Sequence, residues 1–520
     1  MNPQVVQFQM TPEQAQDDAF IRKRIAKELH LNESDFQFRW RKRSIDARKK
    51  AIKINGSFDV INAKDEFPEN PCFVPKPVDA SKQIAIVGAG PAGLFAALQA
   101  IELGWKPVIF ERGKDVRARR RDLAVLNKEG IVNPESNYCF GEGGAGTYSD
   151  GKLYTRSKKR GDVQKALEWF VDFGAKRDIL IDAHPHIGTN VLPRIIVEMR
   201  EKIRECGGEV HFESKVTQFL TESGRITGLE INGSEIYKFD YIIVATGHSA
   251  RDIFQLFRDN NWELKAKPFA LGVRIEHSQE LINKIQYHGR QSDDFLPPAS
   301  YSLVTQVEGR GVYSFCMCPG GIVAPCATEP GEVVTNGWSP SKRNNPTSNS
   351  GIVVEIHPED FENPNDPFIC LEFQRSVERA CWEAAGKTQK VPAQRMVDFI
   401  KGKKSETLPN SSYQPGLVSV DLNQVLPDLV ARRLRKAFED FGRKLNGYLT
   451  NEAVLHAPES RTSSPIQIPR GEDLQHPDVA GLYPCAEGAG FAGGIISAAI
   501  DGMKCVKAIV AISDEGVHRT

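Results

Sequence analysis

The stretch from Gln83 to Arg112 limits what this chain can fold into more than any other part of its sequence. It reads QIAIVGAGPAGLFAALQAIELGWKPVIFER: an apolar run, three glycines, a helical pattern and a second apolar run. Short apolar runs on either side of a helical segment predict two buried parallel strands joined by a helix. Gly88, Gly90 and Gly93 lie at the first strand–helix junction with the spacing G-x-G-x-x-G. The stretch therefore predicts an α/β fold.

The same spacing suits a dinucleotide for physical reasons. Gly88 permits a tight turn, Gly90 lets a pyrophosphate approach the backbone, and Gly93 lets helix and strand pack closely. The helix N-terminus offers free N–H groups to phosphate. Glu111, at the end of the return strand, suits ribose hydroxyls and repels a 2′-phosphate. The cofactor contacts predicted in this unit are Gly88, Gly90, Pro91, Ala92, Gly93 and Glu111.

The G-x-G-x-x-G pattern occurs twice more, at 141–146 and 488–493. No apolar strand precedes the match at 141–146, which predicts either a glycine-rich loop lining the cofactor or a flexible surface loop. The match at 488–493 precedes a helix but lacks an acid-tipped return strand, so it predicts a helix N-terminus aimed at an anionic group. The further contacts predicted are Gly143, Gly144, Ala145, Gly146, Thr147 and Ser149, then Gly488, Gly490, Gly493, Gly494 and Ile495.

Changes in periodicity divide the chain, whose 520 residues are too many for one ordinary domain. Residues 1–79 predict a small α+β domain that ends in a proline-rich linker. Residues 80–265 and 466–520 predict two parts of one dinucleotide-binding domain. Residues 266–465, rich in strands and then in helices, predict an inserted mixed α+β domain that chooses the substrate.

Charge and hydropathy narrow the range of partners. Lys+Arg and Asp+Glu both number 67, so the net charge gives no reason to expect nucleic acid or an anionic membrane. Residues 1–65 are mildly basic. Their basic side chains belong either to a solvated strand face or to a surface that binds RNA or another partner. The apolar run at 84–101 is interrupted by glycine and proline, which favours a buried strand and helix over a membrane span. With no secretory signal visible, we expect a cytoplasmic protein with reduced thiols.

Three separated segments resemble, in this order, the FAD-binding proteins with a glutathione-reductase-like fold. They are residues 83–112, YIIVATGHS at 241–249, and LYPCAEGAGFAGGIISAAIDG at 482–502. The resemblance implies that FAD, rather than NAD, is the cofactor. It implies backbone contacts at Thr246 and Gly247, and a carboxylate from Glu487 near the ribityl–pyrophosphate region, where relatives commonly have Gly-Asp. Its remaining implied contacts are Arg112 and Arg119 beside the phosphates and the Val216 backbone beside adenine.

More narrowly, the sequence resembles the family usually called uncharacterised FAD-dependent, or NAD/FAD-utilising, dehydrogenases. The matching pieces include FGEGGAGTYSDGKLYTR, KPFALGVRIEH, ESRTSSPIQIPR and EGAGFAGGIISAAIDG, and together they cover most of residues 82–505. The resemblance implies a glutathione-reductase-like FAD/NAD(P)-binding domain with an inserted substrate domain, and leaves the substrate open. No attachment motif is present, so we expect non-covalent FAD. No second complete nucleotide unit is present either, so NAD(P)H stays open as an electron donor.

Four side chains are candidates for catalysis. Cys316 and Cys318 lie in a predicted strand, where alternation sends both thiols to one face. We interpret them as buried structural thiols or as redox or substrate-contacting groups; metal binding is the weakest alternative, because no clear four-ligand set is present. His186 is either a substrate-side or an ordinary loop histidine. Arg461 either binds a substrate carboxylate with its two-pronged guanidinium or forms a structural ion pair, with Glu459 or elsewhere.

The sequence thus predicts an FAD-dependent oxidoreductase that transfers hydride between the flavin and an unidentified small molecule. Two alternatives stay open. One is a flavin-dependent RNA-modifying enzyme that uses residues 1–65 to contact RNA. The other is a sensor or scaffold that binds FAD without catalysis. The oligomeric state is not predicted.

Overall fold

The computed structural model describes residues 3–68, 72–155, 161–290 and 295–517. These residues form a mixed α/β structure with three units built on larger sheets, and the second and third of these units share one cleft. Among the described helices, none combines the length and the apolar character needed to cross a membrane.

The first unit is a three-stranded antiparallel sheet covered by one helix. Asp17 caps that helix by accepting hydrogen bonds from the Ala19 and Phe20 amides, which the first helical turn leaves free. Several basic side chains of the second strand are paired with carboxylates; Arg39 and Arg41, for example, both contact Asp59. The elements are strands Gln4–Met10, Phe36–Asp46 and Lys53–Asn62 and helix Asp18–Leu29.

A five-stranded parallel sheet follows, and it positions the predicted cofactor segments. Its strands are almost continuously apolar because helices cover one face, while a small antiparallel sheet at 216–238 and the helix Arg251–Asp259 cover the other. Val87, Phe110, Val244 and Pro484 end four neighbouring strands in register, so the loops after them meet at one edge. In spatial order the strands are Leu482–Pro484, Ile242–Val244, Asp79–Val87, Trp105–Phe110 and Glu209–His211.

Two helices of this unit cross closely beside that edge. Gly502 makes the crossing tight, because a Cβ there would lie 2.1 Å from the Ala92 carbonyl oxygen. The crossing therefore ties the N-terminal glycine motif to the C-terminal segment of the chain. The helices around this unit are Pro91–Glu102, Val116–Glu129, Val163–Asp172, Leu192–Glu205, Arg251–Asp259 and Ile495–Val517; a small antiparallel sheet adds Val216–Glu222, Arg225–Ile231 and Glu235–Lys238.

A seven-stranded sheet, antiparallel except for its last pair, forms the other large unit. One face carries an apolar core that helices cover. In spatial order the strands are Val304–Val307, Arg310–Cys318, Thr347–Ile356, Phe269–Ser278, Val454–Glu459, Val391–Arg395 and Leu417–Ser419. The helices are Gln279–Gln286, Ile369–Ala384, Met396–Ile400, Leu422–Val425 and Asp428–Lys444; two short strand pairs join Ile322–Pro325 to Thr335–Trp338 and Lys265–Ala266 to Ile466–Gln467.

His277 makes this unit sensitive to acid. Its ring is 2% exposed, lies 3.0 Å from the Tyr448 carbonyl oxygen, and has its pKa lowered to about 4 by burial. In the unfolded chain this histidine therefore binds a proton near pH 6.5, whereas in the folded chain it binds one only near pH 4. The folding stability consequently falls as the pH drops from 6.5 towards 4. We expect this histidine to contribute on the order of 3 kcal/mol to that loss. His277→Gln should flatten the pH dependence of urea unfolding between pH 7 and 4; an unchanged slope would contradict the assignment.

Candidate functional site

A cleft with a cavity of about 310 Å³ lies between the parallel sheet, the glycine-rich loop and the seven-stranded sheet. That volume is within the range of small-molecule sites. Its walls come from every segment that the sequence marked as a cofactor contact: the loops after four parallel strands, residues 144–152, and the start of the terminal helix. The parallel sheet brings these segments together because its strand ends align.

The three glycines of the first motif have different surroundings. A Cβ at Gly93 would lie 1.9 Å from the Gly88 carbonyl oxygen, and one at Gly88 would lie 2.5 Å from the Ala245 carbonyl oxygen. At Gly90 the nearest atom would be the Gly144 Cα, at 4.0 Å. Gly88 and Gly93 therefore serve packing, whereas Gly90 leaves open space beside the helix N-terminus. Gly88, Gly90, Pro91 and Ala92 line the cleft, and Gly93 lies behind them.

Glu111 ties two loops together at the cleft. One carboxylate oxygen accepts a hydrogen bond from the Ala89 amide at 2.8 Å. The other accepts from the Gly113 and Gly141 amides, both at 2.9 Å. Glu111 and Val216 both line the cavity. The bonds within the protein hold this carboxylate in place before any ligand binds.

Arg119 lies away from the cleft, in contrast to its predicted place beside the FAD phosphates. Its side chain is fully buried, and its guanidinium donates to four backbone carbonyls, those of Asn137, Tyr138, Glu142 and Gly144, at 2.8–2.9 Å. Burial lowers its pKa. Arg119 therefore shapes the glycine-rich loop from behind.

The glycine-rich loop presents one side to the cleft. Gly144, Ala145, Gly146 and Ser149 line the cavity. Gly143 and Thr147 lie behind them: the Gly143 amide donates to the Ala89 carbonyl at 2.8 Å, and the Thr147 hydroxyl donates to the Glu142 carbonyl at 2.7 Å.

We expect Arg119→Lys to lower the free energy of unfolding by about 2 kcal/mol or more, because an ammonium cannot reach all four carbonyls and leaves buried acceptors unpaired. Urea unfolding of the apoprotein measures the change. Arg120→Lys, on the exposed side of the same helix, is the matched control and should stay within about 0.5 kcal/mol of wild type. Equal stabilities of the two variants would contradict the role given to Arg119.

Arg112 reaches the cleft, but its charge already has partners. Its guanidinium pairs with Asp252, lies 3.7 Å from Glu135, and lies over the Phe140 ring. It lines the cavity within a local network of charges rather than as a free cation.

The loops after the strands Ile242–Val244 and Leu482–Pro484 pack against each other. A Cβ at Gly488 would lie 2.9 Å from the Gly247 amide nitrogen. Thr246, Gly247, Glu487, Gly494 and Ile495 line the cavity. Gly488 and Gly490 pack closely behind it, whereas Gly493 is exposed outside the cavity wall. Sequence reasoning missed His248, whose Nδ1 lies 3.4 Å from a Glu487 oxygen and has no hydrogen-bond partner among the described residues.

Arg461 lines the cleft, but its guanidinium is occupied. It contacts Glu332 at 2.6 Å and Glu378 at 3.1 Å, and donates to the Thr328 hydroxyl at 2.7 Å. The alternative pairing with Glu459 is not formed, because Glu459 accepts two hydrogen bonds from Arg274, at 2.7 and 2.8 Å. The structure therefore gives Arg461 no free face for a substrate carboxylate.

His186 lies outside the cavity wall. Its Nε2 is 3.2 Å from the Ser341 carbonyl oxygen, and burial lowers its pKa. It is a hydrogen-bonded loop histidine beside the site.

The two thiols of the C-x-C segment contact a lysine that sequence reasoning missed. The Lys152 Nζ lies 3.8 Å from the Cys316 Sγ, 3.7 Å from the Cys318 Sγ and 3.0 Å from an Asp150 oxygen. Cys316 lines the cavity, whereas Cys318 is fully buried. Both thiols thus face one ammonium. The sequence feature that could have identified Lys152 as a site residue is its position directly after the glycine-rich loop.

Comparisons with known proteins bear on the cofactor. Residues 268–462 match the family described as "FAD-dependent protein, C-terminal domain-like", and residues 2–61 match a domain of unknown function. The chain is 40% identical over 513 residues to an uncharacterised protein of Clostridium beijerinckii, covering 94% of this chain and 95% of that one. It is 25% identical over 234 residues to the FAD-dependent monooxygenase nodY2 of Hypoxylon pulicicidum, covering 40% and 46% of the two chains.

Solved structures show a weaker likeness. Glycine oxidase from Bacillus cereus shares 11% identity with a TM-score of 0.31, covering 83% of this chain and 95% of that one. A geranylgeranyl bacteriochlorophyll reductase-like protein from Thermoplasma acidophilum shares 13% with a TM-score of 0.34, covering 84% and 80%.

The cofactor is FAD, as the sequence predicts. The match of residues 268–462 to a family of FAD-dependent proteins supports this cofactor. The chain therefore belongs to the same family as the Clostridium beijerinckii protein, and it is an FAD-dependent oxidoreductase.

Proposed function

We propose that FAD lies along this cleft in a glutathione-reductase-like arrangement and that hydride passes between the flavin and a small molecule. Residues 80–265 and 466–520 would form the FAD-binding domain, residues 266–465 the substrate domain, and residues 1–79 a separate small domain. The observation that carries the proposal is the convergence of the loops after four aligned parallel strands on one cavity.

The residues present suit FAD as a ligand. The open space at Gly90, beside the free amides at the start of the helix Pro91–Glu102, fits a pyrophosphate. The Glu111 carboxylate and the Val216 backbone would hold the adenosine part. Glu487 and the segment 246–247 would hold the ribityl chain. When bound, FAD would supply the hydride-transfer chemistry.

The seven-stranded sheet provides a rigid second wall. A Cβ at Gly337 would lie 1.9 Å from the Asn349 Oδ1 and 2.6 Å from an Arg274 nitrogen, so the backbone at 337 is pressed against the buried Arg274–Glu459 pair. Gly337 and Glu459 both line the cleft. This wall holds a substrate in place and limits the entry of water.

His248 is the group best placed to hold or move a proton. Its ring lines the cleft, and its unpartnered Nδ1 lies close to the Glu487 carboxylate. An imidazole can serve as proton donor or acceptor near neutral pH. We expect it to exchange the proton that accompanies hydride transfer.

No specific observation favours the RNA-modifying alternative. The basic side chains of the strand Phe36–Asp46 are largely paired: Arg39 and Arg41 with Asp59, and Arg43 with Asp182. These pairs reduce the positive charge that a phosphate backbone would meet.

Anaerobic titration of the FAD-loaded protein with NADH, NADPH and a panel of small metabolites tests the proposal. We expect at least one compound to bleach the flavin band near 450 nm, and air or an added acceptor to restore it. A flavin that dithionite reduces but that none of these compounds reduces would favour the scaffold alternative and contradict the proposed function.

A further inference from the structure

A cluster of charges and thiols lies on the cleft wall, and the proposed hydride transfer does not use it. It consists of Lys152, Cys316, Cys318, Asp150 and Arg343. The Lys152 ammonium touches both sulfurs and Asp150, and Asp150 also pairs with Arg343 at 2.8 Å. Lys152 and Cys316 line the cavity, and the Lys152 side chain keeps 35% of its surface exposed there.

The backbone presents Cys316 to the cleft at a local distortion. The strand Arg310–Cys318 shifts register against its neighbour between Phe315 and Cys318, and Cys316 has φ 45°. A left-handed conformation is uncommon for a residue with a side chain and concentrates at functional positions. The distortion leaves Cys316 on the wall of the cleft and Cys318 fully buried behind it.

The charges of this cluster balance only if one thiol is ionised. Lys152 and Arg343 bring two positive charges, and Asp150 brings one negative charge. The nearby Arg274 and Glu459 neutralise each other. A hydrogen bond from the Cys318 thiol and the charge of Lys152 hold the pKa of Cys316 well below its usual range. A thiolate on the cleft wall, next to a second thiol, is the arrangement that dithiol oxidation requires.

We propose that Cys316 and Cys318 form a redox-active dithiol that exchanges two electrons with FAD bound in this cleft. In the oxidative direction the Cys316 thiolate and the Cys318 thiol form an S–S bond and lose two electrons and one proton. The oxidised flavin takes up both electrons and the proton, which balances the step. A small-molecule thiol is the class of electron donor that reduces the disulfide back to the dithiol. Two successive thiol–disulfide exchanges, the first at Cys316 or Cys318, consume two donor thiols and release the donor as its disulfide. The proposal rests on the proposed placement of FAD.

A second pair of thiols, Cys139 and Cys326, also lines the cleft, and a hydrogen bond from Cys326 lowers the pKa of Cys139 to about 5; the charges around this pair, however, balance without a thiolate. The guanidinium nearest to it, that of Arg461, belongs to a set in which two arginines face Glu332 and Glu378. That set is neutral without a thiolate. Cys139 and Cys326 therefore serve as the internal comparison.

Mass spectrometry of the apoprotein tests the pair without flavin. After diamide oxidation and alkylation, the tryptic peptide 311–342 contains Cys316, Cys318 and Cys326. We expect a disulfide between Cys316 and Cys318, with Cys326 alkylated. Pairing through Cys326, or three alkylated cysteines, would overturn the proposal. Before oxidation, Lys152→Met should slow alkylation of Cys316 by iodoacetamide at pH 7 by ~10-fold or more; an unchanged rate would contradict the role of Lys152.

Anaerobic dithionite titration of the diamide-oxidised FAD-loaded protein tests the electronic contact. We expect wild type to take up about four electrons per FAD, and Cys316→Ser and Cys318→Ser about two. Cys326→Ser should keep the wild-type value. Suppose that wild-type protein binds FAD and carries the verified disulfide, yet takes up only about two electrons per FAD. That result would overturn the dithiol proposal and leave the proposed function intact. If the wild-type protein does not bind FAD, the proposed function is overturned, whereas the disulfide measured in the apoprotein is unaffected.

Discussion

Gly90→Val is expected to weaken FAD binding by ~100-fold or more, about 3 kcal/mol, while leaving the unfolding free energy of the apoprotein within about 1 kcal/mol of wild type. A Cβ at this position meets no atom closer than 4.0 Å, and the backbone φ of −76° suits a residue with a side chain. The valine would fit the apoprotein and occupy the space that we assign to the pyrophosphate. The ratio of flavin to protein absorbance, after reconstitution with added FAD, measures the loss.

Gly93→Ala is the matched comparison three residues along the chain. Its Cβ would lie 1.9 Å from the Gly88 carbonyl oxygen, so this variant should lose folding stability together with the cofactor. A Gly90→Val protein that binds FAD as wild type does would show that the pyrophosphate does not lie at this helix N-terminus.

Glu378→Ala is expected to lower the free energy of unfolding by about 3–5 kcal/mol, the largest stability change among the variants considered. Glu378 is fully buried, receives Arg251 at 2.5 Å and Arg461 at 3.1 Å, and accepts the Ser460 hydroxyl at 2.6 Å. Removing it leaves two buried guanidiniums to share Glu332. These contacts join the helix Arg251–Asp259, next to the parallel sheet, to the unit around the seven-stranded sheet.

Chemical unfolding of the apoprotein gives the magnitude. Glu383→Ala, on the exposed side of the same helix, is the control; its contact with Arg379, at 3.9 Å, is solvated and should be worth less than about 0.5 kcal/mol. A loss below about 1 kcal/mol for Glu378→Ala would show that the buried network is not what joins the two units.

The parts of the site that follow parallel strands were predictable from local pattern. Gly90, Thr246 and Glu487 each stand shortly after a short apolar run, and parallel strands bring such positions to one edge of the sheet. The glycine motif and its acid are recognisable without knowledge of distant contacts. The same reasoning separates the complete unit at 83–112 from the two incomplete glycine matches.

Partner choice across long sequence distances was not predictable. In the run RARRR, periodicity does not distinguish Arg119 from its neighbours, and its carbonyl partners lie 18 to 25 residues further along the chain. Glu459 and Arg461 are close in sequence, yet Glu459 pairs with Arg274, 185 positions away. Which charges meet in the interior depends on how two large units pack, and hydrophobic periodicity carries no information about that.

Lys152 illustrates a further limit. Its sequence setting, directly after a glycine-rich loop, marks a place near the cofactor, but its contacts with Cys316 and Cys318 span 164 and 166 positions. Strand alternation predicts that the two thiols share a face, but it does not predict the cation that they face.

The central claim, that one non-covalent FAD occupies this cleft, is tested most directly by denaturing the purified protein and identifying the released flavin. We predict about one FAD per chain in the protein-free filtrate, none retained on the denatured polypeptide, and little FAD from Gly90→Val treated in the same way. Flavin that stays attached to the polypeptide would contradict non-covalent binding. A colourless wild-type protein that added FAD cannot reconstitute would contradict the claim itself.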